Sequence, residues 1–252
     1  MSTFVPGRFA GRTAIVTGAG SGIGRATAVR LAQEGARVVA TDVSEPRLKD
    51  LTAEHPDLDL VPVAGDISAE QTVQALVAAA GGRVDALANV AGVMDGFLPP
   101  AEVDDGTWHH VLEVNLTAVM RLTRAVLPGM LEAGSGAIVN VSSEAGLRGG
   151  AAGTAYTVSK HALNGYTRSV AFFHRADGIR CNAVAPGGTR TNIDGQFRSP
   201  HAAEVIGPIL QTILPEPVEP EPVAAAIAYL LSDDAANITG AILPSDGGWS
   251  VI

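Results

Sequence analysis

The 252-residue sequence predicts a doubly wound α/β domain, with seven parallel strands in one sheet and helices on both faces. Three observations predict it. Short, near-continuous apolar runs recur along the chain, as expected of strands buried on both faces. Ala- and Leu-rich stretches of helical periodicity separate them. The composition, 46% hydrophobic and 17% charged, suits one large core rather than two small ones.

The elements follow in order. Thr13–Thr17 reads as the first strand, and residues 22–34 as a helix with Val29 and Leu31 among its apolar positions. Residues 37–41, 60–63 and 84–88 give the next three strands. Before the fourth, Ser68 is expected to cap a helix running to about Ala80, with Glu70 and Gln71 in its first turn. A longer helix is expected over residues 104–131, its last turn distorted by Pro128. Residues 137–141, 179–184 and 241–243 complete the strands, and helices near 154–175 and 223–231 separate them. The small residues of 146–153 read as a flexible loop.

Residues 187–222 are the least regular stretch, with Pro215, Pro217, Pro220 and Pro222 set among acidic residues. Only about thirty residues follow, too few for a second domain. Residues 188–222 are therefore expected to be an excursion over the sheet, such as a substrate lid, within a single domain spanning 1–252.

Charge and cysteine usage narrow the class. A formal charge of −9 and an isoelectric point near 5.1 argue against nucleic acid or an anionic membrane as the main partner. No basic segment leads into an apolar one, so no secretory signal is expected. Gly, Pro or charge interrupts each apolar run short of bilayer length. The single cysteine, Cys181, cannot form an intramolecular disulfide, which fits a reducing cytoplasm, and reads as a small buried hydrophobe. The six histidines show no metal-ligand spacing, and no metal is expected. A mean hydropathy of +0.23 points to surface buried by self-association.

The first strand leads directly into Gly18-Ala19-Gly20-Ser21-Gly22-Ile23-Gly24 and then a helix. Glycines at 18, 22 and 24 permit a tight turn, close approach of the backbone to a pyrophosphate, and close packing of helix on strand. The helix start offers unpaired N–H groups and a positive dipole end to phosphates. This is the Rossmann-type dinucleotide turn. Asp42, at the end of the second strand, is placed to accept hydrogen bonds from ribose hydroxyls and to repel a 2′-phosphate. Ser21 offers no positive charge in compensation, so NAD is expected over NADP. Asp66-Ile67 and Asn89-Val90-Ala91-Gly92 follow the third and fourth strands, at the ligand-binding ends. Read from spacing alone, each is equally a turn, a helix cap or a ligand contact.

Tyr156 and Lys160 stand four apart on a predicted helix and so share a face. A free phenol, with a pKa near ~10, is a poor base at neutral pH. A neighbouring ammonium is expected to lower that value, which acid–base work on an alcohol or ketone requires. Ser143 ends a strand nearby and is suited to holding the substrate oxygen, with Ser142 the competitor on the opposite face.

Taken together, these residues resemble the short-chain dehydrogenase/reductase family in its single-domain form. Thr17-Gly18-x-x-x-Gly22-x-Gly24, Asp66, Asn89-x-Ala91-Gly92, Asn115, Ser143, Tyr156-x-x-x-Lys160, Pro186-Gly187 and Asp246-Gly247-Gly248 occur in the family's order, over nearly the whole chain. The thirteen-residue interval from Ser143 to Tyr156 favours Ser143 over Ser142. Val90 is a departure, standing where the family often has a second asparagine.

The resemblance implies Tyr156 as general acid/base and Lys160 as a ligand of the nicotinamide ribose. It implies Ser143 as the group positioning the reacting oxygen, and Asn115, in a distorted helix, as holder of a water in the proton relay. It further implies adenine contact at Asp66 and ribose-side backbone contact at Asn89. The carboxamide contacts fall near Thr189 and at Thr191. The activity implied is reversible oxidation of a secondary alcohol to a ketone. Met94, Phe97, Leu98, Glu144, Leu147, Arg148, Ile193 and Phe197 are the expected substrate-pocket residues. Their apolar balance suggests a hydroxysteroid, a 3-hydroxyacyl or 3-oxoacyl chain, or a similar lipophilic molecule. A homotetramer or dimer is implied, assembled through the helices containing Asn115 and Tyr156. Two other functions compete: a nucleotide-sensing protein without turnover, and an epimerase or dehydratase of the fold's longer branch.

Overall fold

The computed structural model describes residues 4–193 and 195–251. Seven strands form one parallel sheet: β1 (Thr13–Thr17), β2 (Arg37–Asp42), β3 (Leu60–Ala64), β4 (Ala86–Asn89), β5 (Gly136–Val141), β6 (Ile179–Pro186) and β7 (Ile242–Ser245). The helices are α1 (Gly22–Gln33), α2 (Glu45–Glu54), α3 (Glu70–Ala79), α4 (Asp105–Leu112), α5 (Ala118–Ala133), α6 (Thr154–His174), α7 (Pro200–Ile213) and α8 (Pro220–Leu231).

Alternation along the strands assigns the helices to two layers. In β1, Ala14 and Val16 join a core with Leu31 of α1, Leu48 and Leu51 of α2, and Val223 and Ile227 of α8. The intervening Ile15 faces the other way, into a core with Leu76 of α3, Leu122 and Met130 of α5, and Val170 of α6. Each fully buried Leu or Ile in these layers contributes roughly 1.5–3 kcal/mol. Cys181 lies in the second core with no exposure, as expected of a small hydrophobe.

The strand order is β3-β2-β1-β4-β5-β6-β7. The chain therefore leaves β1 in one direction and returns to pair β4 on the other side, opening a crevice at the carboxyl ends of these two strands. Thr17 spans the crevice floor, its hydroxyl accepting from the N–H groups of Val90 at 2.9 Å and Ala91 at 3.0 Å.

Some expectations are corrected. Ser68 does not cap α3. The cap position is Ala69, and the turn is made by the Asp66 carboxylate, which accepts the Ser68 N–H at 2.8 Å. The helix expected over 104–131 is interrupted by a π-turn, Glu113–Thr117, marked by Ala118 N–H bonding to Glu113 C=O. Past Pro128, α5 continues to Ala133 and stops at Gly134 with φ 61°. α2 and α7 have no counterpart in the sequence reading. Within the segment 188–222, of which Asp194 lies outside the described residues, α7 fills the middle. Pro220 and Pro222 fall in the first turn of α8, where proline costs no intrahelical bond. Among the described residues, no helix is long and apolar enough to cross a membrane.

Candidate active site

The crevice opens into a cavity of about 630 Å³, within the range of small-molecule and cofactor sites. One end is lined by the β1–α1 turn with Asp42, Arg47 and Asp66, the other by Phe97, Ile193, Leu210 and Trp249. Ser143, Tyr156 and Lys160 lie between the two ends.

The turn end is built from main chain. A Cβ on Gly24 would lie 2.1 Å from the Gly18 carbonyl oxygen, so only glycine lets α1 start this close to β1. A Cβ on Gly22, which also has φ 51°, would lie 2.8 Å from the Thr191 methyl. These glycines hold open a cradle beside the start of α1, where N–H groups face the cavity. The donor set and the open volume fit a dinucleotide. The Asp42 carboxylate accepts from the N–H groups of Gly20 at 3.0 Å and Ser44 at 2.9 Å, which fixes it at the rim with lone pairs to spare. Arg47 lines the same end and was missed by the sequence reading, because it lies on the unpredicted α2.

The middle of the cavity carries the ionisable pair. Tyr156 is 8% exposed and Lys160 2%, one helical turn apart on α6. The Ser143 hydroxyl lines the cavity with the Tyr156 phenol and favours its ionised form, whereas Ser142 is buried and directed at the Lys160 carbonyl at 3.5 Å. Lys160 Nζ donates to Val141 C=O at 2.8 Å and sits 5.4 Å from the Tyr156 ring centre. Burial pushes the Tyr156 phenol up to about 12, with the Ser143 bond opposing and Asp95 adding to the rise. Burial brings the Lys160 ammonium down to about 8. The expected lowering of the phenol by Lys160 is therefore not realised in the protein alone. Desolvation outweighs it, and the ammonium is turned to Val141.

Asn115 occupies the π-turn, whose extra residue directs its side chain at the loop after β4. Its Oδ1 accepts Val93 N–H at 2.9 Å, and its Nδ2 donates to Val93 C=O at 3.0 Å and Ser159 Oγ at 3.1 Å. The side chain thus clamps the Ala91–Gly92–Val93 strip and does not line the cavity itself. Asn89 is likewise turned inward, donating to Asn140 at 2.9 Å, and does not line the cavity. Gly18, Ser21, Ile23, Ile67, Ala91, Gly92, Pro186, Gly187, Thr189 and Thr191 all do.

At the far end Met94, Phe97 and Ile193 line the cavity as expected, while five other candidates do not. Leu98 is buried, its carbonyl taken by the Thr154 N–H. Glu144 is drawn inward by the short turn Glu144–Gly146 and pairs with Arg148, which also bonds the Trp249 carbonyl. Leu147 is 38% exposed. Phe197 stacks behind Phe97, ring centres 4.3 Å apart. Trp249, His110, Leu210 and Leu214 line this end without having been singled out from the sequence.

A family model described as Enoyl-(Acyl carrier protein) reductase matches residues 18–250. The chain belongs to the short-chain dehydrogenase/reductase family. A short-chain dehydrogenase/reductase of Talaromyces verruculosus, cdmF, is 44% identical over 251 residues, covering 94% of this chain and 96% of that one. The 3beta-hydroxysteroid dehydrogenase 2 of Eggerthella lenta is 42% identical over 253 residues, covering 96% and 95%. Among solved structures, a candidate NAD(P)-dependent gluconate 5-dehydrogenase of Beutenbergia cavernae, with NADP at low occupancy, superposes with a TM-score of 0.87. It is 35% identical and covers 98% of this chain and 100% of that one. As a member of this family the chain is an oxidoreductase of alcohols and ketones with a nicotinamide cofactor site.

Proposed function

We propose that the protein is an NAD-dependent dehydrogenase of a lipophilic secondary alcohol, running reversibly to the ketone, with Tyr156 as the proton carrier. The observation that carries this reading is that Ser143, Tyr156 and Lys160 converge on the cavity between its two ends, with the Lys160 ammonium 5.4 Å from the Tyr156 ring centre. The β1–α1 turn with Asp42 would hold the nicotinamide cofactor, which would supply the hydride acceptor and, oxidised, a positive charge. Ser143 holds the alcohol oxygen, and Tyr156 as phenolate removes its proton. A phenol held up at about 12 by burial stays protonated at neutral pH, so in the reverse direction the proton is in place for the forming alkoxide. Lys160, with its ammonium 5.4 Å from the Tyr156 ring centre, would hold the ribose of the cofactor. With the Asn115 amide spent on Val93 and Ser159, a relay water there falls to the main-chain carbonyl of the π-turn.

Asp42 supports NAD over NADP by repelling a 2′-phosphate. Asp66 and Ile67 are assigned to adenine, Thr189 and Thr191 to the carboxamide. The apolar wall of Phe97, Ile193, Leu210 and Trp249 supports a lipophilic substrate, of which a hydroxysteroid or acyl chain is an example. The segment 188–222 is assigned as the lid. Half-exposed Leu131 on α5 with Phe172 and Phe173 on α6, at 62% and 71% exposure, supports assembly through those helices into a dimer or tetramer. The acidic chain and lone buried cysteine are in keeping with a cytoplasmic location.

The test is a panel of alcohols and ketones followed by nicotinamide absorbance with both cofactors, on the wild type and Tyr156→Phe. Turnover is expected to fall roughly a thousandfold in the variant while cofactor binding persists. Undiminished turnover in Tyr156→Phe removes the mechanism.

A further inference from the structure

The helix carrying Tyr156 and Lys160 starts from Gly153, a cap position with no side chain to offer. A helix start leaves main-chain N–H groups that the helix cannot satisfy itself. Here the loop between β4 and α4 satisfies two of them from outside. Thr154 N–H donates to Leu98 C=O at 2.9 Å, and Tyr156 N–H donates to Asp95 Oδ2 at 3.0 Å. The second carboxylate oxygen, Oδ1, accepts the N–H of Phe97 at 3.1 Å. Asp95 is 1% exposed, a buried carboxylate whose contacts are these main-chain donors. The positive end of a 21-residue helix stabilises it there.

Space around this carboxylate is specific to it. A Cβ on Gly153 would lie 2.3 Å from Asp95 Oδ1, so the missing cap side chain and the borrowed one exclude each other. Phe97, the other residue held, has φ 57° and is the one non-glycine in the left-handed region among the described residues. Its ring lines the substrate end of the cavity and stacks on Phe197, while Gly96 C=O accepts the Arg198 N–H at 2.9 Å. One side chain therefore joins the helix of the phenol, a strained loop residue facing the substrate, and through that loop the segment leading into α7.

We propose that Asp95 is a positioning residue for the reaction: by holding the main chain of Tyr156 and of Phe97 on its two oxygens, it fixes the phenol and the substrate wall relative to one another. This rests on Tyr156 being the proton carrier. A carboxylate suits the task because it accepts on both oxygens, whereas an amide has a single acceptor oxygen. The charge has a second effect, since it raises the phenol pKa against the lowering Ser143 bond. Other ionisable groups on the elements around the helix start are Arg198 packed on Gly96, Glu102 bonded by Ser199, Lys160 on α6, His110 on α4, Glu113 paired with Arg121, and Glu144 paired with Arg148. Burial alone brings Lys160 to about 8, with no contribution from Asp95, so a shift between wild type and Asp95→Asn reads the charge of Asp95 on the phenol.

The experiment compares Asp95→Asn, Asp95→Ala, Asp95→Ala with Gly153→Ser, and Tyr156→Phe with the wild type. Steady-state constants, the pH profile of alcohol oxidation, thermal melting and cofactor binding are recorded for each. Asp95→Asn is expected to lower kcat roughly ten- to hundredfold and raise substrate KM, with cofactor affinity unchanged. With the negative charge gone the phenol ionises more readily, so the acid limb of the profile moves to lower pH by roughly half a unit or more. In the double variant the hydroxyl introduced by Gly153→Ser can cap the Tyr156 N–H locally. Melting temperature is then expected to recover without kcat or substrate KM. Recovery of all three makes Asp95 a helix cap and nothing more. An unchanged pH profile and kcat in folded Asp95→Asn also overturns the proposal. Full turnover in Tyr156→Phe overturns the reading beneath it, whatever the Asp95 variants do.

Discussion

At the β1–α1 end of the cavity the walls are main chain, whereas at the α7 end they are side chains, and the two respond differently to change. The first is fixed by close approaches that only glycine permits, as at Gly24 against Gly18. The second hangs on a helix in which Ala202 is the only buried residue among those described, with Val205 and Ile209 half out in water. A ligand common to many proteins of a fold can be met by backbone, which sequence drift does not alter. One that differs from protein to protein is met by replaceable side chains on a loosely packed element. Tyr156, the proposed proton carrier, lies where the two ends meet.

That contrast can be broken at its rigid end first. Gly24→Ala sets a methyl against the Gly18 carbonyl, and cofactor affinity measured by fluorescence titration is expected to fall roughly a hundredfold or the fold to be lost. Asp42→Asn removes charge without volume. The ratio of NAD to NADP kcat/KM is expected to drop roughly tenfold or more, with Arg47 at the same rim placed to receive the added phosphate. A mutant that keeps its NAD preference would show that Asp42 does not set it.

Lys160→Met probes the junction through stability. The folded Lys160 pKa, about 8, lies below its ordinary value of 10.5, so between the two the unfolded chain binds more protons and wild-type stability rises with pH. The buried charge costs about 3 kcal/mol below that window. Lys160→Met, inactive, is therefore expected to melt higher than wild type at pH 7, by roughly 1–3 kcal/mol of stability, with the gap closing above pH 8. The smallest effect belongs to the side-chain end. Leu210→Ala is expected to raise KM for a lipophilic substrate roughly three- to tenfold while cofactor binding stays as it was.

The same contrast governs what could be read without coordinates. The glycine turn and the strands were legible because their demands are local: spacing, a positive φ, an apolar run. α2 escaped notice because it is short and polar, burying only Leu48 and Leu51 three apart. α7 was hidden by Pro208 within it and by Pro215 and Pro217 just past its end, while Pro220 and Pro222 fall in the first turn of α8. Glu144 was expected in the substrate pocket, yet it is buried and paired with Arg148. Asp95 showed at most a local turn through Phe97 N–H, since its hold on Tyr156 is a contact 61 residues away.

The π-turn at Glu113–Thr117 has a consequence for how the gene can change. Deleting one residue there would restore an unbroken hydrogen-bond ladder and swing α4 by about 100° relative to α5. By every local measure the edited helix would be better formed. Asn115 would lose its hold on Val93, and with it the Ala91–Gly92–Val93 strip of the cavity wall. Length in this stretch is thus under tighter constraint than composition, and a library of single-codon deletions should find its steepest loss of activity where helix propensity improves.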